Sequence, residues 1–173
     1  MQQQKPISHF IAGAVIAGIL IIFSCILYFA KLQDSGINWL QYLIILGGLI
    51  IFINLYGKAL NNQVSFGNLF SYGFKTTAFF TLLVIIFTVI FLLIFPDLKE
   101  KGFEMARQKL ENKGTLTEEE IDKAMELGRK MFWPFAIGGI LLIYAIIGAI
   151  SSLIGAAVTK KSPVNPTDQL DMR

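Results

Sequence analysis

The chain of 173 residues holds one cysteine and one histidine, and only 16% of it is charged. A single cysteine excludes an internal disulfide, and Cys25, in the middle of an apolar run, reads as a small buried hydrophobe. A single histidine excludes the His and Cys clusters that hold zinc and its relatives, and no carboxylates gather near His9. His9 beside Ser8 is read as an interfacial residue. Nucleophile arrangements are equally lacking: Ser151 and Ser152 have no histidine or aspartate in their segment to activate them. No catalytic, metal or nucleotide motif is evident, so an enzyme is not expected, nor is a cofactor. The net charge is +3 with a pI near 9.0. Its basic residues flank apolar runs instead of forming a patch, and no nucleic-acid partner is expected.

What the chain has in abundance is apolar length. Four runs, Phe10 to Ala30, Trp39 to Tyr56, Thr76 to Phe95 and Phe132 to Val158, take up about half of it. Each is near or above the roughly 20 residues a helix needs to cross a hydrocarbon core of about 30 Å. The partner these runs call for is a lipid bilayer. The first run is too long for the h-region of a cleaved signal, and no small-x-small site follows Phe29, Ala30, Lys31 and Leu32. Phe23 is too bulky for a lipobox before Cys25.

Four spans place both termini on one side, so charge can be sorted by face. One face carries Lys5, Lys58, Lys75, Lys160, Lys161 and Arg173 against Asp168 and Asp171. The other carries Lys31 and Asp34 in a short loop, then a stretch from Asp97 to Lys130 in which bases and acids nearly balance. Both termini are therefore expected in the cytoplasm. Trp39, Tyr42 and Trp133 fall where an outer aromatic belt belongs.

Val64, Ser65, Phe66, Gly67, Phe70, Gly73 and Phe74 form a helical pattern read as an interfacial ramp into the third span. Lys75 ends the ramp, its ammonium reaching back to the headgroups. Pro96 stops the third helix, and the segment 97–131 is expected to be a helical hairpin. Phe103, Ala106 and Leu110 recur at helical spacing in its first half, and Asn112, Lys113 and Gly114 supply a stop. Thr117 with Glu120 fits a capping box for the second half, where Ile121 and Met125 mark a narrow apolar stripe. Such a hairpin is either a solvated connector or a docking surface for a membrane or periplasmic protein. The tail 161–173, with Pro163 and Pro166 among polar residues, is expected to be disordered.

Inside the spans, close helix packing is expected at Gly13 with Ala17, at Gly18, at Gly47 and Gly48, at Gly148 with Ser152, and at Gly155. The same small faces could serve a homo-oligomer. Residues 45–50 resemble residues 136–141, either by chance among apolar residues or as a trace of duplication. Hydroxyls in the spans can bond their own helix carbonyls, which leaves Asn54 asking for a partner: another helix or a solute.

The order of elements, with Val64, Ser65, Phe66, Gly67, Phe70 and Gly73 before the third span and Phe132, Trp133, Pro134 opening the fourth, resembles a family of small four-span bacterial inner-membrane proteins classed as a domain of unknown function. The likeness covers about residues 10–160 and implies a location and a fold, without an activity or a catalytic residue. The expected architecture is all-α: a polytopic membrane four-helix bundle with an extracytoplasmic helical hairpin between spans three and four. The expected role is a non-enzymatic accessory or interaction protein that meets its partner through Phe103, Leu110, Ile121 and Met125. The alternative is a small oligomeric transporter or channel built around Asn54, Gly47 and Gly48.

Overall fold

A computed structural model describes residues 5–32 and 36–162, and every regular element among them is helical. The helices are α1 (His9–Phe29), a short 3-10 turn (Ile37–Trp39), α2 (Leu40–Ala59), α3 (Phe66–Ile94), α4 (Pro96–Lys113), α5 (Glu118–Lys130) and α6 (Phe132–Val158). Four segments, His9–Phe29, Ile37–Ala59, Phe66–Ile94 and Phe132–Val158, are long and apolar enough to cross a membrane. The protein is thus a helical membrane bundle. The expectations for Asp34 and for the tail from residue 163 lie outside the described residues.

Local chemistry sets the ends of these helices. The Ser8 hydroxyl accepts from the Ile11 N–H at 3.3 Å and starts α1. Pro96 opens α4 from its first turn, where a missing N–H costs nothing, so it begins a helix as well as ending one. Gly114 closes α4 in the left-handed region at φ 62°. In the turn between α2 and α3, Asn61 and Asn62 both take positive φ, and the Asn62 carbonyl accepts the Ser162 N–H at 2.9 Å.

The expected ramp continues without a break into the third span: α3 begins at Phe66 and buries Leu69, Tyr72 and Gly73. Its 29 residues span about 43 Å at 1.5 Å each. Lying wholly within a 30 Å hydrocarbon core would need a tilt of about 45°, beyond the usual range, so at least one end reaches the headgroup layer.

The chain forms two compact units, residues 1–84 with 143–173, and residues 85–142. In the first, the buried stripe of α3 runs Leu69, Tyr72, Gly73, Thr76, Thr77, Phe80, Thr81, Val84. The other helices bury Ile45, Leu49, Ile53 and Gly57 of α2, Ala12, Ile16, Ala17 and Leu20 of α1, and Gly148, Ser151, Ser152 and Gly155 of α6. These faces are smaller and more polar than the exposed ones, where Ile11, Ile22, Ile51, Leu82 and Ile146 each stay more than half uncovered. That inversion suits lipid, where packing at small residues, not burial of oil, selects the partner face.

Backbone proximity at the glycines shows which faces meet. A methyl at Gly148 would fall inside Thr77, one at Gly73 would lie 2.6 Å from both Ile53 Cδ1 and Ser152 Oγ, and one at Gly155 would lie 2.6 Å from Ile53 Cδ1. Gly13 lies against Phe79 and the Thr76 carbonyl, and Gly48 against Ile16. Gly18 and Gly47 correct the packing expectation, since a methyl on either would meet nothing within 4 Å. A small-xxx-small pair is a local pattern, whereas contact depends on how the helix is rotated about its axis.

The second unit contains the α4–α5 hairpin. Phe103 and Ile121 are buried in it, Leu110 and Met125 half-buried. Arg107 reaches Glu111 at 2.8 Å, Asp122 at 2.9 Å and Glu118 at 3.3 Å, tying the two helices together, and Arg129 pairs with Glu100 at 2.7 Å. The Arg129 guanidinium also covers the Phe103 ring at 4.7 Å.

Candidate functional site

The first unit holds a cavity of about 340 Å³ at the end where α1 starts, α2 stops and α3 begins. Pro6, Ile7, Ser8 and His9 form one wall, Tyr56 of α2 another, and Asn68, Ser71, Tyr72 and Lys75 of α3 the third. The four α3 residues recur at spacings of three, one and three, so one helix face supplies them all. Tyr56 and Tyr72 stack with centroids 4.1 Å apart and planes 12° from parallel, and this pins α2 to α3 beside the cavity. Phe10 packs edge-on to Phe79 at 5.0 Å, which fixes the start of α1 against α3.

Hydrogen-bond donors and a cation dominate this lining. Lys75 is exposed, and the first unit contains no aspartate or glutamate among its described residues, while Lys5, Lys58, Lys75, Lys160 and Lys161 cluster by sequence at this end. Tyr72 is 6% exposed, and its hydroxyl has no hydrogen-bond partner among the described residues. An unpaired buried hydroxyl costs about 1–3 kcal/mol, a cost that a bound polar group would remove.

Among the described residues, the buried hydroxyls of Thr81, Ser151 and Ser152 also lack a partner. The expectation that span hydroxyls bond their own helix holds at Thr76 and Thr77, which donate to the Tyr72 and Gly73 carbonyls at 2.9 and 3.0 Å, and just past α6 Thr159 does the same to the Gly155 carbonyl at 2.7 Å. It fails at Thr81, Ser151 and Ser152, so Asn54 is not alone in asking for a partner. Tyr144 donates to Gln41 Oε1 at 3.5 Å, a long bond joining α6 to α2.

The residues expected around a solute, Asn54, Gly47 and Gly48, lie apart from this cavity. Asn54 is half-buried and does not line the cavity, Gly47 faces open space, and α2 runs unbroken from Leu40 to Ala59 through both glycines. The unbroken helix leaves no gap there to expose polar backbone. His9, read as interfacial, lines the cavity together with Asn68 and Ser71, and the spacing of these residues carried no signal that they share it. No group of three or more His, Cys, Asp or Glu able to hold a metal occurs among the described residues.

A second cavity, of about 290 Å³, lies within the second unit, lined by Leu92, Leu98, Gly102, Phe103, Ala106 and Phe132 with Lys99. The Lys99 ammonium sits 5.0 Å from the Phe132 centroid. Two of the four hairpin residues expected to touch a partner are thus committed elsewhere: Phe103 lines this cavity, and Ile121 is 2% exposed inside the hairpin. Leu127, Leu116 and Met105 are the large apolar residues the hairpin leaves uncovered, at 57%, 38% and 37%.

The electrostatics of the hairpin are those of a folded surface. Thr117 and Glu120 complete a capping box, with the Glu120 carboxylate accepting from the Thr117 N–H at 2.8 Å and from its hydroxyl at 3.0 Å. Those bonds, the backbone one first, hold Glu120 below its ordinary value of 4.5. Glu111, then Asp122, push Arg107 up from its ordinary value.

The chain belongs to the family described as protein of unknown function (DUF4199), whose profile matches residues 12–161. No curated protein and no solved structure matches the chain.

Proposed function

We propose that this DUF4199 member is a non-enzymatic accessory protein of the bacterial cytoplasmic membrane, which engages a membrane or periplasmic protein through the α4–α5 hairpin. Both termini lie in the cytoplasm on this reading, because five lysines and no described carboxylate surround the end of the first unit where α1 begins. The hairpin, with its mixed charge, then lies outside.

The observation that carries the reading is that the hairpin is far more than a link. Two antiparallel spans can be joined by about 2–8 residues. Here 35 residues build two helices with a capping box, a left-handed glycine stop and a three-acid cluster on Arg107. Each exposed ion pair alone contributes only about 0–1 kcal/mol, so the cluster and the buried Phe103 and Ile121 must act together. Because those two side chains hold the hairpin, a partner would meet Leu127, Leu116 and Met105 and the charges around them.

Replacing residues 97–130 by a short flexible loop, in the native host, tests this reading. The expected result is that the replaced protein still inserts and resists detergent like the parent, but migrates on a native gel without the partner's mass. Unchanged migration of the complex would sink the proposal.

A further inference from the structure

The cavity formed by α1, α2 and α3 is not needed by a protein that acts through its hairpin, yet it is built as a ligand site. Its volume is at the lower end of the range for small-molecule sites. Seven of the residues around it, Ser8, His9, Tyr56, Asn68, Ser71, Tyr72 and Lys75, can donate hydrogen bonds, and none is acidic. Ser8 also heads the 21-residue α1, whose N-terminal N–H groups carry partial positive charge. Independently, the buried Tyr72 hydroxyl lacks a partner.

We propose that this cavity is a phosphate-binding site, occupied by the phosphodiester of an anionic membrane lipid. A phosphate offers acceptor oxygens and negative charge, which is what these donors and Lys75 lack. The lipid source follows from what flanks the site. His9 and Lys75 are each next in sequence to an exposed phenylalanine, Phe10 at 54% and Phe74 at 44%, which would lie along the acyl chains. The neighbouring Lys5, Lys58, Lys160 and Lys161 raise the local concentration of anionic lipid without contacting the bound one. A soluble phosphate ester or inorganic phosphate presents the same oxygens, so the test must separate the two sources.

The full-length protein, purified in an uncharged detergent, would be titrated with dihexanoyl-phosphatidylglycerol, dihexanoyl-phosphatidylcholine and inorganic phosphate, with bound species counted by native mass spectrometry. The proposal expects saturable binding of one phosphatidylglycerol and much weaker binding of phosphatidylcholine. Lys75→Gln should weaken it by about tenfold, the value of one charge-assisted hydrogen bond, while Lys58→Gln changes it by less than about twofold. Ser71→Leu, which fills the cavity without altering charge, should abolish it outright, and melting curves in the same detergent identify any variant that fails to fold. Competition by inorganic phosphate at equal concentration would keep the site but overturn the lipid as its occupant. Equal losses from Lys75→Gln and Lys58→Gln would mean diffuse attraction to the lysines, and these, or the absence of saturable binding, would overturn the site itself.

Discussion

Gly148→Ala probes the packing of the first unit at its tightest point. The added methyl would lie 2.5 Å from Thr77 Oγ1 and 2.8 Å from Thr77 Cβ, and closer still to Cγ2. Carbon atoms settle at about 3.5–4.0 Å, so α6 and α3 would have to part by about 1 Å there. Thr77 has little room to yield, because its hydroxyl is bonded to the Gly73 carbonyl one turn back. Parting the helices also loosens Gly73 from Ser152 and Gly155 from Ile53. Overpacking of this kind costs about 1–3 kcal/mol. Gly18→Ala is the matched control: its methyl meets nothing within 4 Å, and the gain in helix propensity of up to about 1 kcal/mol makes it neutral or stabilising. The assay is unfolding in mixed micelles of dodecylmaltoside and increasing dodecyl sulfate, followed by circular dichroism. Gly148→Ala should unfold at clearly lower dodecyl sulfate than the parent, and Gly18→Ala at the same or higher. Thr77→Ala, which removes Cγ2 and Oγ1, should recover part of the loss as a coupling of about 0.5–3 kcal/mol. Equal midpoints for the two alanine variants would refute the packing of α6 on α3.

Thr117→Ala removes the hydroxyl that accepts the Glu120 N–H and should cost the start of α5 about 1 kcal/mol, seen as faster amide exchange at residues 118–121 in the intact protein. The capping box also titrates: because Glu120 is held below its ordinary 4.5 in the folded hairpin, its contribution is complete above that value and is lost as pH falls through the lowered one. Exchange at these amides, corrected for intrinsic rates, should therefore rise in acid, and Glu120→Gln should flatten that rise. For sidedness, with Cys25 replaced by serine, a cysteine at Thr115 should react with an impermeant maleimide on spheroplasts and one at Gln63 only after lysis; the opposite pattern would invert the proposed orientation.

The parts of the fold that were legible were those decided by length and by local chemistry. Apolar runs long enough to cross a bilayer, the Thr117–Glu120 box and the Gly114 stop each rest on residues close together in the chain. The inward packing of Leu69, Tyr72 and Gly73 is masked in the sequence because Phe66, Phe70 and Phe74 around them follow a helical spacing that suits an interface. Which face of a span is buried could not be seen for a physical reason: lipid and protein interior are both apolar, so hydrophobic periodicity fades, and only the positions of Thr76, Thr77, Ser151 and Ser152 mark the inner side. The same reason hid the difference between Gly148, jammed against Thr77, and Gly47, facing open space. The cavity draws on three separate segments, and nothing in the spacing of Ser8, Tyr56 and Ser71 signals that they share it.

On the proposed function, the hairpin recruits a protein. The direct measurement is quantitative mass spectrometry of what co-purifies with the C-terminally tagged protein at native expression, beside the same protein with residues 97–130 replaced and beside a Leu127→Glu variant. Recruitment through the hairpin predicts a stoichiometric partner with the parent, none with the replaced hairpin, and a reduced amount with Leu127→Glu, all three proteins being equally abundant in the membrane. Recovery of the parent alone, or of the same partner in equal amount from all three, would contradict it.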